Sequence, residues 1–283
     1  MGSGESIEAW RTFDWRQKKE LKDRLEKFTP SIPDVTNVKI LVAGQIGAGK
    51  SSFINSVLSV FQEEIANEAL AEDLRSADSH SFTKRLRTYR IRSAHADLPF
   101  ELCDIKGLEP DKISKCQIDD IVNTIYGHVK EGYKFGEKSL TSDDEHYNQN
   151  PSLSDQAFCL VYVIDGSTVQ LAADDKIITE KLRLIRQTIS DKGIPQVIVM
   201  SKVDEACPLV KNDLKKVYRS KKIKEKMELC SFKVGVPMSN IFPVKNYHNE
   251  INTNDHVDVL ILKALDQIVR SADARQRFGA SNK

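Results

Sequence analysis

Short apolar runs alternate along the chain with stretches in which apolar residues recur every three or four positions. Residues 38–42, 100–103, 158–164, 197–200 and 241–244 are strand-sized and largely apolar, and residues 86–91 alternate weakly and predict one further strand. Helical spacing marks residues 52–61 and 174–189, the latter with Ile177, Leu182, Leu184, Ile185 and Ile189 as its apolar set. Asp255 is placed to cap a last helix that runs through Ile268. Buried strands that alternate with helices predict an α/β fold of three layers, with a mainly parallel central sheet covered on both faces.

Three segments fall outside this pattern. Residues 1–34 carry Trp10, Phe13, Trp15, Leu21, Leu25 and Phe28 among many charges. They predict an added amphipathic helix docked on the domain and ended by Pro30 and Pro33. The domain itself is expected over residues 35–283, with an insertion at 108–156 that is partly helical near 118–129 and polar, reading as mobile, at 141–154. The third segment, residues 211–226, is rich in lysine. It reads as a solvated helix face or, more sharply, as a surface for an acidic partner, anionic lipid or RNA.

Composition narrows the function. A formal net charge of +1, with 29% charged residues of both signs, gives no strong nucleic-acid signal. No apolar run approaches the ~20 residues of a membrane helix, and the polar start shows no secretory signal. Five cysteines, an odd count without CxxC spacing, read as reduced thiols of a cytoplasmic protein. The histidines are scattered without metal-ligand spacing.

The central signal is Gly44-Gln45-Ile46-Gly47-Ala48-Gly49-Lys50-Ser51, which fits G-x-x-x-x-G-K-[ST] between a β run and a helix. Glycines let backbone N–H groups converge on phosphate oxygens, and the helix adds its positive end. Gly44, Gly47, Ala48, Gly49, Lys50, Ser51 and Ser52 form the candidate cradle. Lys50 would neutralise the β- and γ-phosphates, and the Ser51 hydroxyl would ligate Mg²⁺. The motif predicts a P-loop NTPase.

Two further motifs follow in order. Asp104-Ile105-Lys106-Gly107 fits D-x-x-G at the end of a strand: Asp104 would hold Mg²⁺ through water and the Gly107 amide would reach the γ-phosphate. Ser201-Lys202-Val203-Asp204, after the 197–200 strand, resembles the guanine-reading [NT]-K-x-D. Asp204 can accept from guanine N1–H and the 2-amino group but would face the N1 acceptor of adenine, and an unpaired buried polar group costs ~1–3 kcal/mol. The Lys202 stem would lie along the base. Ser201 keeps a hydroxyl with less reach than Asn. Lys245-Asn246, after the last strand, would offer a backbone amide to guanine O6. An ATP-using kinase or ATPase would require Asp204 to be irrelevant.

With the three motifs in order, the chain resembles the TRAFAC-type GTPases, and Gly49-Lys50-Ser51-Ser52-Phe53-Ile54-Asn55-Ser56 is similar to the immunity- and septin-like members. Residues 13–28, then Val38-Lys39-Ile40-Leu41-Val42 running into 44–61, together with Ser81-Phe82-Thr83-Lys84 and Thr88-Tyr89, resemble the interferon-induced protein 44 and 44-like family over nearly the whole chain. The resemblance implies an interferon-inducible, cytoplasmic, GTP/GDP- and Mg²⁺-binding protein of innate antiviral immunity. Family members often carry an additional N-terminal domain not found in these residues, so a short member or an excised portion is expected.

The candidate catalytic residues are Lys50, Thr83 and Gln45. Thr83 is the switch threonine that would cover Mg²⁺, with Ser81 as fallback and Thr88 expected inside the strand. Leu108 follows D-x-x-G where small GTPases place the water-orienting Gln, and Ile46 crowds the approach of an arginine finger. Tight binding with slow hydrolysis is expected. The alternative is a non-hydrolysing, nucleotide-stabilised interaction module, with a protein partner or homodimer.

Overall fold

The structure, a computed structural model, describes residues 8–71, 85–94, 96–108, 115–136, 138–169, 176–190 and 193–280. In chain order the elements are α1 (Lys18–Glu26), β1 (Val38–Gly44), α2 (Lys50–Gln62), α3 (Glu68–Ala71), β2 (Arg87–Arg92), β3 (Asp97–Asp104), α4 (Lys115–Ile125), β4 (Ala157–Asp165), α5 (Lys176–Ser190), β5 (Gln196–Ser201), α6 (Val203–Ala206), α7 (Pro208–Asn212), α8 (Lys221–Val234), β6 (Ile241–Pro243) and α9 (Asp255–Ala280).

The strands make one six-stranded sheet in the order β2-β3-β1-β4-β5-β6. All neighbours are parallel except β2, which runs antiparallel to β3 at one edge. The strand period of two divides the central strands between two cores. Ile40, Val42, Val161 and Val199 face a core with α1, α2 and α9; Leu41, Leu160, Tyr162 and Ile198 face one with α4, α5 and α8. The order reverses at β1, flanked by β3 and β4, so a crevice opens beyond the carboxyl ends of these strands.

The N-terminal helix is shorter than its aromatic residues suggest. Leu21 and Leu25 are its buried face, and Trp10, Phe13 and Trp15 lie before it in non-helical chain. Trp10 and Phe13 both pack on Tyr218, and Phe13 also meets Trp15. Trp10 donates its backbone N–H to Tyr218 O (2.9 Å) and its indole N–H to Ser220 O (3.2 Å), while Trp15 meets His256 edge-on. Arg24, Lys18 and the Ser31 N–H reach Asp266, Asp255 and Asp273 along α9. The helix ends at Glu26, ahead of either proline.

The last helix also differs from expectation. Asn254 is the capping residue: its Oδ1 accepts from the N–H groups of His256 (2.9 Å) and Val257 (3.3 Å). Asp255 is the first helical residue and is ion-paired with Lys18 at 2.7 Å, and the helix continues past Ile268 to Ala280. The polar stretch 141–154 is tied to residues 128–130 by Asn148 N–H to His128 O and Lys130 N–H to His146 O. The cysteines form no disulfide with one another, and all are buried except the half-buried Cys116. Among the described residues no helix is long and apolar enough to cross a membrane.

Candidate nucleotide-binding site

The loop between β1 and α2 ends on Gly49, whose φ of +89° is left-handed. A Cβ there would lie 3.0 Å from Asn246 Nδ2, so glycine satisfies both the backbone and the contact. Lys50 is 7% exposed, with Nζ donating to Gly44 O (3.4 Å) and Gln45 O (3.3 Å). Ser51 Oγ donates to Asp104 Oδ2 at 2.8 Å, across from the end of β3.

The D-x-x-G segment is paired to the loop itself. Ile46 N–H donates to Leu108 O (3.2 Å) and Leu108 N–H to Gly44 O (2.9 Å). A Cβ on Gly107 would fall 2.8 Å from Ile46 Cγ1 and 2.9 Å from its Cα. Leu108 is 2% exposed and belongs to the core with Ile105 and Ile118. It therefore occupies the position after D-x-x-G as a packing residue. Gln45 pairs with Leu108 through its backbone and does not line the cavity described below.

At the end of β5, Ser201 Oγ donates to Ala48 O at 2.6 Å. The short hydroxyl side chain thus fastens the Ser201 to Asp204 segment to the P-loop directly. Lys202 adopts a left-handed φ of +53°, uncommon for a residue with a Cβ, and its ammonium pairs with Asp165 Oδ2 at 2.7 Å. Burial would raise the Asp165 carboxyl, but hydrogen bonds from Lys202 and Ser167 outweigh it and hold the group below the usual carboxylate range. Asp204 stands in the first turn of α6. Lys245 Nζ lies 4.0 Å from Asp204 Oδ2 and 2.8 Å from Glu250 Oε1.

These groups surround one cavity of about 550 Å³ at the carboxyl end of the sheet. It brings together Gly47, Gly49, Lys50, Ser51 and Ser52 with Lys202, Asp204, Lys245 and Asn246. Gly44, Ala48, Asp104 and Gly107 are outside the lining but touch residues that form it or fasten it. Thr83 and Ser81 lie outside the described residues. Thr88 is within β2, where its hydroxyl donates to Glu131.

Sequence reasoning missed Glu205, Tyr247, His248, Asn249 and Glu250, which also line the cavity. The only available signal was their place directly after the last strand. Tyr247 is the anchor of that wall: its N–H donates to Ser56 Oγ (2.9 Å) and its hydroxyl to Asp258 Oδ1 (2.5 Å). Burial first, and the Asp258 carboxylate beside it, push the phenol up.

The residues fit a magnesium-bound nucleotide on their own chemistry. Ser51 and Asp104 offer hard oxygen donors side by side. Asn246 Oδ1 is buried beside the cradle without a hydrogen-bond partner among the described residues. A larger cavity of about 670 Å³ opens at the β2 edge, away from the P-loop. Charged groups of its lining have partners within the protein: Lys39 pairs with Glu101 (3.8 Å), and Glu131 accepts from the Thr88 hydroxyl (2.6 Å).

Comparison with known proteins agrees with this architecture. The family model described as 50S ribosome-binding GTPase matches residues 39–202. Human interferon-induced protein 44 is 34% identical over 259 residues, 90% of this chain and 57% of that protein. Human interferon-induced protein 44-like is 30% identical over 252 residues, 88% of this chain and 54% of that protein. The chain thus spans little more than half the length of these relatives. Among solved structures, Toc33 of Arabidopsis thaliana is 14% identical and aligns with a TM-score of 0.51 in a dimerisation-deficient mutant, over 90% of each chain. Its complex with GDP and Mg²⁺ aligns at 0.50 over 91% of each chain, also at 14% identity. Likeness at that identity shows the P-loop GTPase fold.

Proposed function

The chain belongs to the GTPase family whose model covers residues 39–202, and we propose that it binds GTP and GDP with Mg²⁺ in the 550 Å³ cavity and hydrolyses GTP slowly. The observation that carries this reading is the meeting, around that single cavity, of Lys50 and Ser51 from the P-loop with Lys202 and Asp204 from a motif far along the chain. Lys50 and the loop amides grip the phosphates, Asp204 reads the purine, and Ser51 with Asp104 holds the cation. Bound Mg²⁺ would neutralise charge developing on the phosphates. Thr83 is our candidate to complete the cation site, and Gln45, which lies outside the cavity lining, would have to turn inward to assist at the attacking water.

The interferon-induced relatives support a part in cytoplasmic, interferon-induced antiviral defence. The dimerisation named for Toc33 supports a homodimer or protein partner, and the lysines of 211–226 are our candidate surface for an acidic partner. The test is mass determination of nucleotide that co-purifies with the chain, then single-turnover phosphate release. Guanine nucleotide and a slow release are expected; adenine nucleotide alone, or a rate matching a partner-stimulated small GTPase, would overturn the reading.

One observation favours a second reading, a non-hydrolysing module whose nucleotide is structural. Leu108 is buried where hydrolytic small GTPases use Gln. That reading predicts stoichiometric retention of nucleotide and no continuing phosphate release when GTP is in excess.

A further inference from the structure

The base end of the cavity carries a charge arrangement that a single base-reading carboxylate does not require. Asp204, Lys245 and Glu250 stand in a row: Asp204 Oδ2 to Lys245 Nζ is 4.0 Å, and Lys245 Nζ to Glu250 Oε1 is 2.8 Å. Glu250 is oriented by the chain itself, since its Oε2 accepts from the N–H groups of His248 (2.8 Å) and Asn249 (3.1 Å). All three side chains are between 26% and 30% exposed, and all line the cavity.

A lysine beside a lone aspartate closes to a charge-assisted hydrogen bond of ~2.7–2.9 Å, which ties up one carboxylate oxygen and its charge. Glu250 prevents this by taking the ammonium first. Asp204 keeps its lone pairs for a ligand, and a fixed donor stands beside a fixed acceptor. The pairing edge of guanine presents the complement, two N–H donors next to the 6-oxo acceptor. Adenine presents an acceptor next to a 6-amino donor and is opposed at both positions.

We propose that Lys245 is a second reader of the purine, donating to the 6-oxo group, and that Glu250 is its positioning residue. This inference rests on guanine-nucleotide binding as proposed above. Specificity then comes from two charges of opposite sign, and the wrong base offers Asp204 no donor and Lys245 no acceptor.

The test is calorimetric titration of the full chain with magnesium GDP, 6-thio-GDP and ADP. The thiocarbonyl is a poor acceptor, so the wild type should bind 6-thio-GDP about tenfold more weakly than GDP, the worth of one charge-assisted hydrogen bond. K245M should lose that ratio and bind both equally. E250Q should weaken GDP further than K245M does, because Lys245 then closes on Asp204, and the K245M/E250Q double variant should return to the level of K245M. An unchanged GDP to 6-thio-GDP ratio in K245M would overturn the inference, as would a double variant no better than E250Q. Failure of the premise looks different: a wild type that binds GDP and ADP alike removes guanine reading altogether. If D204N erases guanine preference while K245M and E250Q leave it intact, guanine reading stands and Lys245 has no part in it.

Discussion

At the phosphate end of the cavity the polar side chains close on their own surroundings, whereas at the base end third partners hold them apart. Lys50 reaches back to two loop carbonyls, Ser51 bonds Asp104, and the backbone of Ile46 pairs with Leu108. At the base end, Asp165 takes Lys202 and Glu250 takes Lys245, and Asp204 is left facing the cavity. At Lys50 and Ser51 the first arrangement is satisfied within the protein and must be exchanged for ligand contacts, while Asn246 Oδ1 beside it keeps an open acceptor among the described residues. The second is already arranged and changes little on binding, which is what preorganisation means for affinity. The phosphate end is thus expected to supply strength and movement, and the base end selectivity.

The sharpest way to break this comparison is to disable each end separately. K50A should weaken GDP by at least ~100-fold, since a buried charge-assisted contact to phosphate is lost, and it should weaken ADP by the same factor. D204N should cost GDP a similar factor and leave ADP no weaker, or tighter, because the carboxylate that faces the N1 acceptor of adenine is gone. Calorimetry on the two variants with both nucleotides decides it. If D204N and K50A showed the same pattern, the two ends would not divide the work.

A second test acts on the contact between the loop and the D-x-x-G segment. The Cβ of G107A would meet Ile46 Cγ1 at 2.8 Å, its Cα at 2.9 Å and its N at 3.0 Å, and two of these are backbone atoms that cannot swing aside. Overpacking of this kind costs ~1–3 kcal/mol. The ligand-free protein should therefore melt lower. If nucleotide opens this contact, the deficit should shrink with a non-hydrolysable GTP analogue bound. An equal deficit with and without ligand would mean that the segment stays zipped to the loop.

The same contrast explains what the sequence made legible. The strands, the P-loop and Ser201 to Asp204 announce themselves because their signals are local: an apolar run, a glycine spacing, a motif at a strand end. The role of Leu108 was not local. It stands where a water-orienting residue is expected, but backbone pairing with residues 44–46 turns its side chain into the core. Glu250 and Tyr247 sit in a loop without periodicity, and their parts depend on how that loop bends back to Lys245 and Asp258. Asp165 gave no hint that it holds Lys202, since the two meet only because β4 and β5 are neighbours in register. Trp10, Phe13 and Trp15 suggested a longer helix because aromatic residues among charges look amphipathic whether or not the chain between them is helical.

A smaller effect is expected from the N-terminal segment. Lys18 lies 2.7 Å from both Asp255 and Asp258, and Asp258, 1% exposed, is the acceptor for the Tyr247 hydroxyl. Through that carboxylate the segment supports the wall of the base end. K18M should cost about 1–2 kcal/mol, between the values for exposed and buried pairs. It should speed GDP release about two- to fivefold if the wall loosens, with no such change in the phosphate-end variants' ratio of GDP to ADP. A lowered melting temperature with unaltered release would confine Lys18 to stability.

The least effect, and the most specific, is the response of the base end to acid. Burial alone would raise the Glu250 carboxyl, but the Lys245 ammonium and the His248 N–H outweigh it and hold the group at about 2, against 4.5 for an unperturbed glutamate. A carboxyl whose pKa is lower in the folded protein contributes fully above its unfolded value and loses that contribution as pH falls from 4.5 toward 2. E250Q should therefore melt about 1–3 °C below the wild type near neutral pH, with the gap closing as the pH drops through that window. K245M should show the same narrowing, because the ammonium is what holds the carboxyl ionised. A gap of constant size across the window would assign Glu250 to packing and leave Asp204 as the base end's charged reader.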